Sequence, residues 1–233
     1  MYREGRRMRP LFATLKRPLY FAHRGCSHQA PENTLPAFRL AAEYGIAGIE
    51  LDIQLSGDGE IMVFHDERLE RICGIDGTLA DFSAAELQRL DAGSWKDSRF
   101  AGTAVPRLSE VLAELGGRMI FDIEIKGYRP SETTPLLVAL AALLKSSGCG
   151  PSVCLSSFDP RIVRQCEKLL PGIAAGLIYD EKSLPFRLPA AAAARYARAD
   201  FIKPRHSLME GLGAGKRPVL CWTIDDPTRA AEC

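Results

Sequence analysis

Residues 48–53, "GIELDI", decide the fold. Successive side chains of a β-strand point to opposite faces, so the apolar residues of this stretch share one face. Glu50 and Asp52 share the other face. A parallel strand of this kind is buried on both sides, and one side meets helices. Charged groups on the second side need a partner, or they line the mouth of an active site near the carboxyl end of a barrel strand.

Residues 120–126, "IFDIEIK", repeat the pattern. Here Glu124 and Lys126 share one face of the strand. Carboxylates from both strands would therefore line the same active-site mouth. The three carboxylates of Glu50, Asp52 and Glu124 would repel one another without a cation. Two interpretations stay open from these strands alone. One is ordinary ion pairs with arginines or Lys126, and the other is a hard divalent ion (Mg²⁺, Ca²⁺ or Mn²⁺), which suits all-oxygen ligation.

Short apolar runs alternate with helical patterns along the rest of the chain. Strands are predicted at 19–24, 46–55, 119–126, 152–157, 173–179, 200–203 and 218–224, and helices at about 34–44, 108–115, 133–147, 159–169 and 188–197. This alternation indicates parallel pairing with helices outside the sheet. Residues 56–107 interrupt it with a short strand at 61–65 and a helix near 83–90, which indicates an insertion after the second strand.

Composition and charge limit the class of protein. The 233 residues are 46% hydrophobic and 25% charged, which is enough for one large core, and the net charge of +1 gives no argument for binding nucleic acid or an anionic membrane. No stretch is apolar enough to span a bilayer, and residues 1–17 lack the apolar region of a secretory signal. We therefore expect a cytoplasmic protein whose seven cysteines are reduced thiols.

Two histidines end apolar runs on either side of these carboxylates. His23 ends the run in "FAHRG" at 21–25, and His65 ends the run in "VFHDE" at 63–67. Two groups with a pKa of about 6.5 suit acid–base chemistry at neutral pH. The planar guanidinium of Arg24 can donate two parallel hydrogen bonds to phosphate oxygens, and the glycine after it lets the backbone come close to the phosphate. With a cation on the carboxylates, this set of residues indicates a phosphodiester site.

Five stretches, taken in order, resemble one enzyme family. They are "AHRGCSHQAPENTLPAF" (22–38), "GIELDIQLSGDGEIMVFHDERLER" (48–71), "GTLADFSAAELQRLDAG" (77–93), "IEIK" (123–126) and "CWTID" (221–225). Together they resemble the glycerophosphodiester phosphodiesterases, over residues 19–233. The resemblance implies an α/β fold, a (β/α)8 TIM barrel with a small insertion after strand 2. It also implies hydrolysis of glycerophosphodiesters to glycerol 3-phosphate and an alcohol.

The resemblance also implies roles for individual residues. It assigns acid–base catalysis to His23 and His65, metal binding to Glu50, Asp52 and Glu124, phosphate contacts to Arg24 and Lys126, and an aromatic contact at the rim of the site to Trp222. The implied cofactor is one divalent ion, Mg²⁺ or Ca²⁺, and Mn²⁺ also fits. For Trp222, a buried core position is the alternative. The attacking group stays open between water and the neighbouring glycerol hydroxyl, which would act through a cyclic phosphate.

Three other residues near these motifs receive a structural interpretation. Glu32 and Asn33 match the family's "PEN" turn, where we expect them to shape the loop and cap the helix. Cys26 would need a lowered pKa to act as a nucleophile, so we interpret it as a small filler residue.

The chain departs from the family pattern at its end. It stops at "DDPTRAAEC", inside the helix that follows the seventh strand, so the eighth strand is missing. We therefore expect a barrel domain over 18–233 that is incomplete at its C-terminus and preceded by a poorly ordered basic lead-in over 1–17. The first strand would then have a free edge, which favours aggregation or a homodimer.

Two other functions stay open. One is a lysophospholipase-D-like enzyme of the same superfamily, which would need a membrane-facing apolar rim. The other is a non-catalytic barrel that binds phosphodiesters. Degenerate copies of that kind lose a histidine or a metal carboxylate, and this chain keeps all five residues. The expected partner is a small-molecule glycerophosphodiester, and neither nucleic acid nor integral membrane association is expected.

Overall fold

The computed structural model of the protein describes Leu11 and residues 19–180, 190–211, 217–226 and 228. These residues form two compact units. The first spans Leu19–Val153, and the second takes in the described residues from Cys154 onward together with Leu11. Apart from Leu11, the predicted lead-in over 1–17 lies outside the described residues. The interpretation of 18–233 as one incomplete barrel domain stays a prediction.

The sheet of the first unit carries the carboxylates. Its strands are β1 (Phe21–His23), β2 (Gly48–Leu55), β3 (Ile61–Val63) and β4 (Ile120–Ile125). β2 pairs in parallel with both β1 and β4, and β3 pairs with β2 in the antiparallel sense. Every residue of β2 except Gln54 is buried, as expected for a parallel strand that is covered on both faces.

The helices of the first unit include those predicted at about 34–44, near 83–90, at 108–115 and at 133–147, and a further short helix at 70–73 that the sequence does not predict. They are α1 (Leu35–Glu43), α2 (Glu70–Cys73), α3 (Ala84–Leu87), α4 (Leu108–Leu115) and α5 (Pro130–Ser147), with short 3-10 turns at Leu79–Asp81, Ser98–Phe100 and Gly150–Ser152. Thr34 precedes α1, Pro36 lies in its first turn, and Gly45 follows its end with a φ of +69°. α5 begins at Pro130 and not at 133, because proline suits the first position of a helix.

Residues 56–107 form the predicted insertion and bring a hydrophobic core of their own. The buried residues of this core are Met62, Phe64, Leu69, Ile72, Leu79, Ala84, Leu87, Ala92 and Val105. The helix predicted at 83–90 ends already at Leu87. Asp91 then turns the chain by accepting hydrogen bonds from two backbone N–H groups that follow it.

The second unit repeats the parallel pattern. Its strands β5 (Val153–Ser157), β6 (Ala174–Tyr179) and β7 (Phe201–Pro204) pair in parallel in that order, and its helices are α6 (Pro160–Leu169) and α7 (Ala190–Ala197), followed by a 3-10 turn at His206–Gly211. Asp159 caps α6 by accepting a hydrogen bond from the Arg161 N–H.

The last predicted strand, at 218–224, is present as two isolated parallel bridges and not as a continuous strand. The bridges join Val219 to Ile202 and Trp222 to Arg205. Between them lies Pro204 of β7, which has no N–H to donate to the neighbouring segment. The missing bond interrupts the ladder, so the regular pairing is shorter than the sequence pattern predicts.

Parallel strands that alternate with helices confirm the predicted α/β class in both units. Among the helices in the described part of the chain, none is long and apolar enough to cross a lipid bilayer. The six cysteines within the described ranges are free thiols.

The turn between β1 and α1 leaves no room for a side chain at Gly25. This residue has a φ of +78°, and its N–H donates to the carbonyl of Ala22 at 3.1 Å. A Cβ at this position would lie 2.7 Å from the Cβ of Ala37 and 2.8 Å from its carbonyl carbon. Helix α1 therefore reaches its position beside β1 only because residue 25 is glycine.

Replacing Gly25 with alanine should lower the free energy of unfolding by about 3 kcal/mol or more, because a steric clash adds to the strain of the left-handed backbone. Gly45→Ala is the matched control. Gly45 has a φ of +69°, but no atom lies within 4 Å of an added Cβ. Its loss should be about 1 kcal/mol, from backbone strain alone. Urea denaturation monitored by circular dichroism measures both, and equal losses would contradict the steric argument.

Candidate active site

Three buried carboxylates meet where β2 and β4 run side by side. The parallel register sets Asp52 beside Glu124, and the alternation of faces brings Glu50 to the same side. One carboxylate oxygen from each lies within 4.8 Å of the other two. The three residues expose only 4% (Glu50), 1% (Asp52) and 6% (Glu124) of their surface. Buried negative charges this close together require positive partners.

Lys126 follows β4 and places its ammonium group against two of these carboxylates. Its Nζ lies 2.8 Å from Oδ1 of Asp52 and also bonds to Glu124. Burial would raise the pKa of this aspartate, but the charges of Lys126, His65 and Arg24 hold it well below its usual range. Burial likewise opposes the charge on Lys126, but its carboxylate partners raise its pKa overall. Asp52 and Lys126 are therefore both charged at neutral pH.

Asn33 holds Asp52 from another side, and the sequence does not predict this contact. Its side-chain N–H donates to Oδ2 of Asp52 at 2.8 Å, and its side-chain oxygen accepts the backbone N–H of Asp52 at 3.2 Å. The backbone of Asn33 is left-handed, with a φ of +56°, a conformation that asparagine tolerates better than most residues. The cap of α1 is Thr34, so the predicted capping role of Asn33 is wrong. Its side chain is used instead to bind a buried carboxylate.

His23 and Arg24 lie at the end of β1, beside the carboxylates. His23 Nε2 is 3.8 Å from Oε2 of Glu50, and the backbone N–H of Arg24 donates to the same oxygen at 3.1 Å. The Arg24 Nε lies 3.5 Å from Oδ2 of Asp52. Burial would lower the pKa of Arg24, but the nearby carboxylates raise it. The guanidinium therefore stays charged, with 19% of its side chain exposed, while 34% of the His23 side chain is exposed.

His65 lies in the loop after β3, because that strand ends at Val63 and not at 65 as predicted. Its Nδ1 lies 2.6 Å from Oδ1 of Asp66. A proton held between them leaves Nε2 as the nitrogen that can exchange a proton with another group. The side-chain amide of Gln54 donates to the carbonyl of His65 and to those on either side, and the hydroxyl of Tyr128 donates to the carbonyl of His65 at 2.9 Å. The loop is thus held at its backbone as well as at the ring.

Two further charged residues connect these groups and are not predicted as site residues by the sequence. Glu32 accepts a hydrogen bond from Nη1 of Arg24 at 2.8 Å. Arg71 of α2 donates to both Glu32 and Asp66. The glutamate of "PEN" and the aspartate of "HDE" are visible sequence signals. Their common partner Arg71 comes from the insertion, so only the folded chain shows the connection.

Residues 23–233 match the model of the glycerophosphoryl diester phosphodiesterase family. The chain belongs to this family. A glycerophosphodiester phosphodiesterase of Caldanaerobacter subterraneus is 34% identical over 212 residues, which cover 89% of this chain and 86% of the relative. The chain is therefore a phosphodiesterase, as the sequence motifs predict.

Two solved structures extend the likeness to three dimensions. A phosphodiesterase of Oleispira antarctica, in complex with the product sn-glycerol-3-phosphate, has a TM-score of 0.82 at 31% identity and covers 95% of this chain and 90% of its own. A glycerophosphodiester phosphodiesterase of Agrobacterium tumefaciens has a TM-score of 0.76 at 29% identity and covers 93% and 91%. The phosphodiesterase has the TIM-barrel fold class of its family, as predicted.

Trp222 belongs to the second unit of the phosphodiesterase, whereas the other predicted site residues belong to the first unit. Its indole Nε1 donates to the carbonyl of Lys203 at 2.9 Å, and its ring packs edge-on against Phe158 with centroids 5.5 Å apart. The side chain is half-buried, which differs from the fully buried position that was the alternative. Near the first histidine, burial raises the pKa of the Cys26 thiol, which agrees with its interpretation as a filler residue.

The carboxylate cluster of the phosphodiesterase fits a hard divalent ion. All of its ligand atoms are oxygens, the donors that Mg²⁺ and Ca²⁺ prefer. Its three carboxylates face the two positive charges of Lys126 and Arg24, so one negative charge is in excess among these five groups. The three carboxylates repel one another, and a cation bound between them would offset that repulsion.

The bonds between Asn33 and Asp52 should contribute measurably to stability. Two hydrogen bonds to a buried, charged residue are lost in Asn33→Gly, which should lower the free energy of unfolding by about 2 kcal/mol. Asn33→Ala loses the same bonds and adds the strain of a left-handed alanine, so it should lose about 1 kcal/mol more. Chemical denaturation of the two variants separates the contribution of the side-chain hydrogen bonds from the cost of backbone strain. Wild-type stability in Asn33→Gly would show that the side chain contributes nothing.

Proposed function

We propose that this phosphodiesterase hydrolyses glycerophosphodiesters to glycerol 3-phosphate and an alcohol, with the help of one divalent ion and two histidines. The observation that carries the proposal is that three buried carboxylates of β2 and β4 lie beside His23, Arg24 and Lys126. The glycerol 3-phosphate bound to the Oleispira antarctica phosphodiesterase supports this choice of substrate.

Arg24 and Lys126 are the residues that would bind the phosphate. Both carry their charge at neutral pH, because neighbouring carboxylates raise their pKa values. The guanidinium of Arg24 can present two parallel N–H groups to phosphate oxygens, and the ammonium of Lys126 acts as a compact charge. Their attachment to Glu32, Asp52 and Glu124 fixes them before substrate arrives, which reduces the ordering needed on binding.

His23 and His65 would move the protons. One takes a proton from the attacking group, which is either water or the neighbouring glycerol hydroxyl, and the other gives a proton to the leaving alkoxide. The Nδ1 of His65 faces Asp66, so Nε2 is its working atom. The Nε2 atom of His23 lies 3.8 Å from Oε2 of Glu50. Both rings are partly exposed and can reach a substrate.

Glu50, Asp52 and Glu124 would hold the divalent ion, Mg²⁺ or Ca²⁺, with Mn²⁺ as a further candidate. When bound, such an ion acts as a Lewis acid toward phosphoryl oxygens. Asn33 and the backbone N–H of Arg24 keep two of these carboxylates in place. Glu124 is kept in place by Lys126.

The remaining assignments extend the same proposal. Trp222 would contact the glycerol or alcohol group at the rim of the site. The substrate is a small molecule. A cytoplasmic location and a homodimer stay predictions from the sequence.

His23→Ala and His65→Ala should each reduce kcat by about 10²-fold or more, the usual effect of losing a general acid or base. Release of glycerol 3-phosphate from glycerophosphocholine measures this, with thermal melting as a check on folding. His28→Ala is the control, because His28 is exposed in the turn after β1 and should be neutral. Near-normal turnover in either test variant would refute the acid–base assignment. Turnover of lysophosphatidylcholine alone would favour the lysophospholipase-D-like alternative.

Chelation followed by dialysis should abolish turnover, and Mg²⁺, Mn²⁺ or Ca²⁺ should restore it. Calorimetric titration of the folded protein with Mn²⁺ tests binding without substrate. Glu50→Gln and Glu124→Gln should each weaken binding by about 10-fold or more, since each removes a charged ligand. Glu114→Gln is the control, because Glu114 pairs with Arg39 outside the cluster. Full turnover in excess chelator would remove the metal from the mechanism.

A further inference from the structure

Arg71, on the short helix α2 of the insertion, binds two carboxylates at once. Its Nε and Nη2 donate to Asp66 at 2.6 and 3.1 Å. Its Nη1 and Nη2 donate to Glu32 at 3.1 and 2.8 Å. One guanidinium thus makes a two-pronged contact with each acid, a geometry that lysine cannot reproduce.

Each of these carboxylates also binds a residue of the candidate active site. Glu32 Oε1 accepts from Nη1 of Arg24 at 2.8 Å, through the same oxygen that accepts from Arg71. Asp66 Oδ1 faces Nδ1 of His65 at 2.6 Å, and this oxygen also accepts from Arg71. The phosphate-binding arginine and the catalytic histidine come from two different loops. Arg71 connects them through one acid on each side.

The side chain of Arg71 is 45% exposed, but the two carboxylates that it binds are shielded, which distinguishes this network from an ordinary surface ion pair. The side chains of Glu32 and Asp66 are only 13% and 25% exposed, and the guanidinium lies 5.8 Å from the centre of the Trp95 ring. Arg68 in the same loop is different. It pairs with Glu70 and Asp76, whose side chains are 43% and 91% exposed, so this pairing should contribute little.

We propose that Arg71 is a positioning residue that sets the orientation of both Arg24 and His65. The inference rests on the proposed function for its kinetic consequences. Through Glu32, Arg71 controls how Arg24 meets the phosphate, which affects KM. Through Asp66, it controls the tautomer and direction of His65, which affects kcat. The insertion after β2 therefore takes part in catalysis by fixing the loops of Arg24 and His65 relative to each other.

Five variants test this division of roles. Asp66→Asn should lower kcat by about 10-fold or more with little change in KM, and Glu32→Gln should mainly raise KM, also by about 10-fold. Arg71→Met should both lower kcat and raise KM. Arg71→Lys should recover only part of this loss, because lysine keeps the positive charge but cannot form the paired hydrogen bonds of a guanidinium. Arg68→Met is the matched control and should stay within about 2-fold of wild type for both parameters.

Non-additivity is the decisive kinetic result. If Arg71 acts through Asp66, the double variant Arg71→Met/Asp66→Asn should lose little more kcat than the worse single variant. Fully additive losses would overturn the inference, and so would folded Arg71→Met with the kcat and KM of Arg68→Met. Thermal melting identifies any variant that fails to fold, and in that case Arg71→Lys carries the test.

A spectroscopic measurement tests the same point without substrate. Two-bond ¹H–¹⁵N correlations of the histidine rings should show the Nδ1–H tautomer for His65 in the neutral wild-type protein, assigned by its loss in His65→Gln. Arg71→Met should show a mixture of tautomers, whereas Arg68→Met should not. An unchanged His65 signal in folded Arg71→Met would overturn the inference. A wild type that releases no glycerol 3-phosphate would overturn the proposed function alone, because the His65 spectrum does not depend on it.

Discussion

The ion pair between Asp52 and Lys126 is the interaction on which the arrangement of the site depends. Parallel pairing of β2 and β4 forces Asp52 and Glu124 to lie side by side, where two like charges would repel each other. The ammonium of Lys126 lies against both and offsets that repulsion. Because the pair is buried, removing one partner would leave an uncompensated charge, which typically destabilises a protein by about 3–5 kcal/mol. Asn33 and Arg24 then take their positions around the same aspartate.

The site is assembled from three segments of the first unit that lie far apart along the chain. The end of β1 and the turn after it supply His23 and Arg24, strands β2 and β4 supply the carboxylates, Lys126 follows β4, and the insertion supplies His65. The insertion has its own hydrophobic core, so it can hold the side chain of His65 on a loop without a strand beneath it. A loop supported in this way keeps its geometry while remaining open to substrate.

Much of the fold follows from local patterns. The alternating faces of "GIELDI" and "IFDIEIK" and the order of strands and helices were sufficient to predict a parallel α/β class. The predicted strand boundaries are less accurate where a single residue changes the backbone hydrogen bonding. Pro204 interrupts the pairing predicted for 218–224, and the left-handed backbone of Arg24 ends β1 one residue early. Effects of this kind depend on the partner strand or on the packing of a turn, and the alternation of apolar and polar residues along the sequence predicts neither of them.

The sequence by itself predicted which residues would carry the chemistry, because histidine, arginine and carboxylates at the ends of apolar runs are visible in one dimension. It also identified the family through motifs that occur in order. Only the tertiary structure decided that Asn33 binds Asp52 and does not cap a helix, and that Arg71 connects Glu32 with Asp66. The bonds from Asn33 to Asp52 and from Arg71 to Glu32 join residues that are 19 and 39 positions apart. No local pattern encodes them, because they form only when the folded sheet and the insertion bring the loops together.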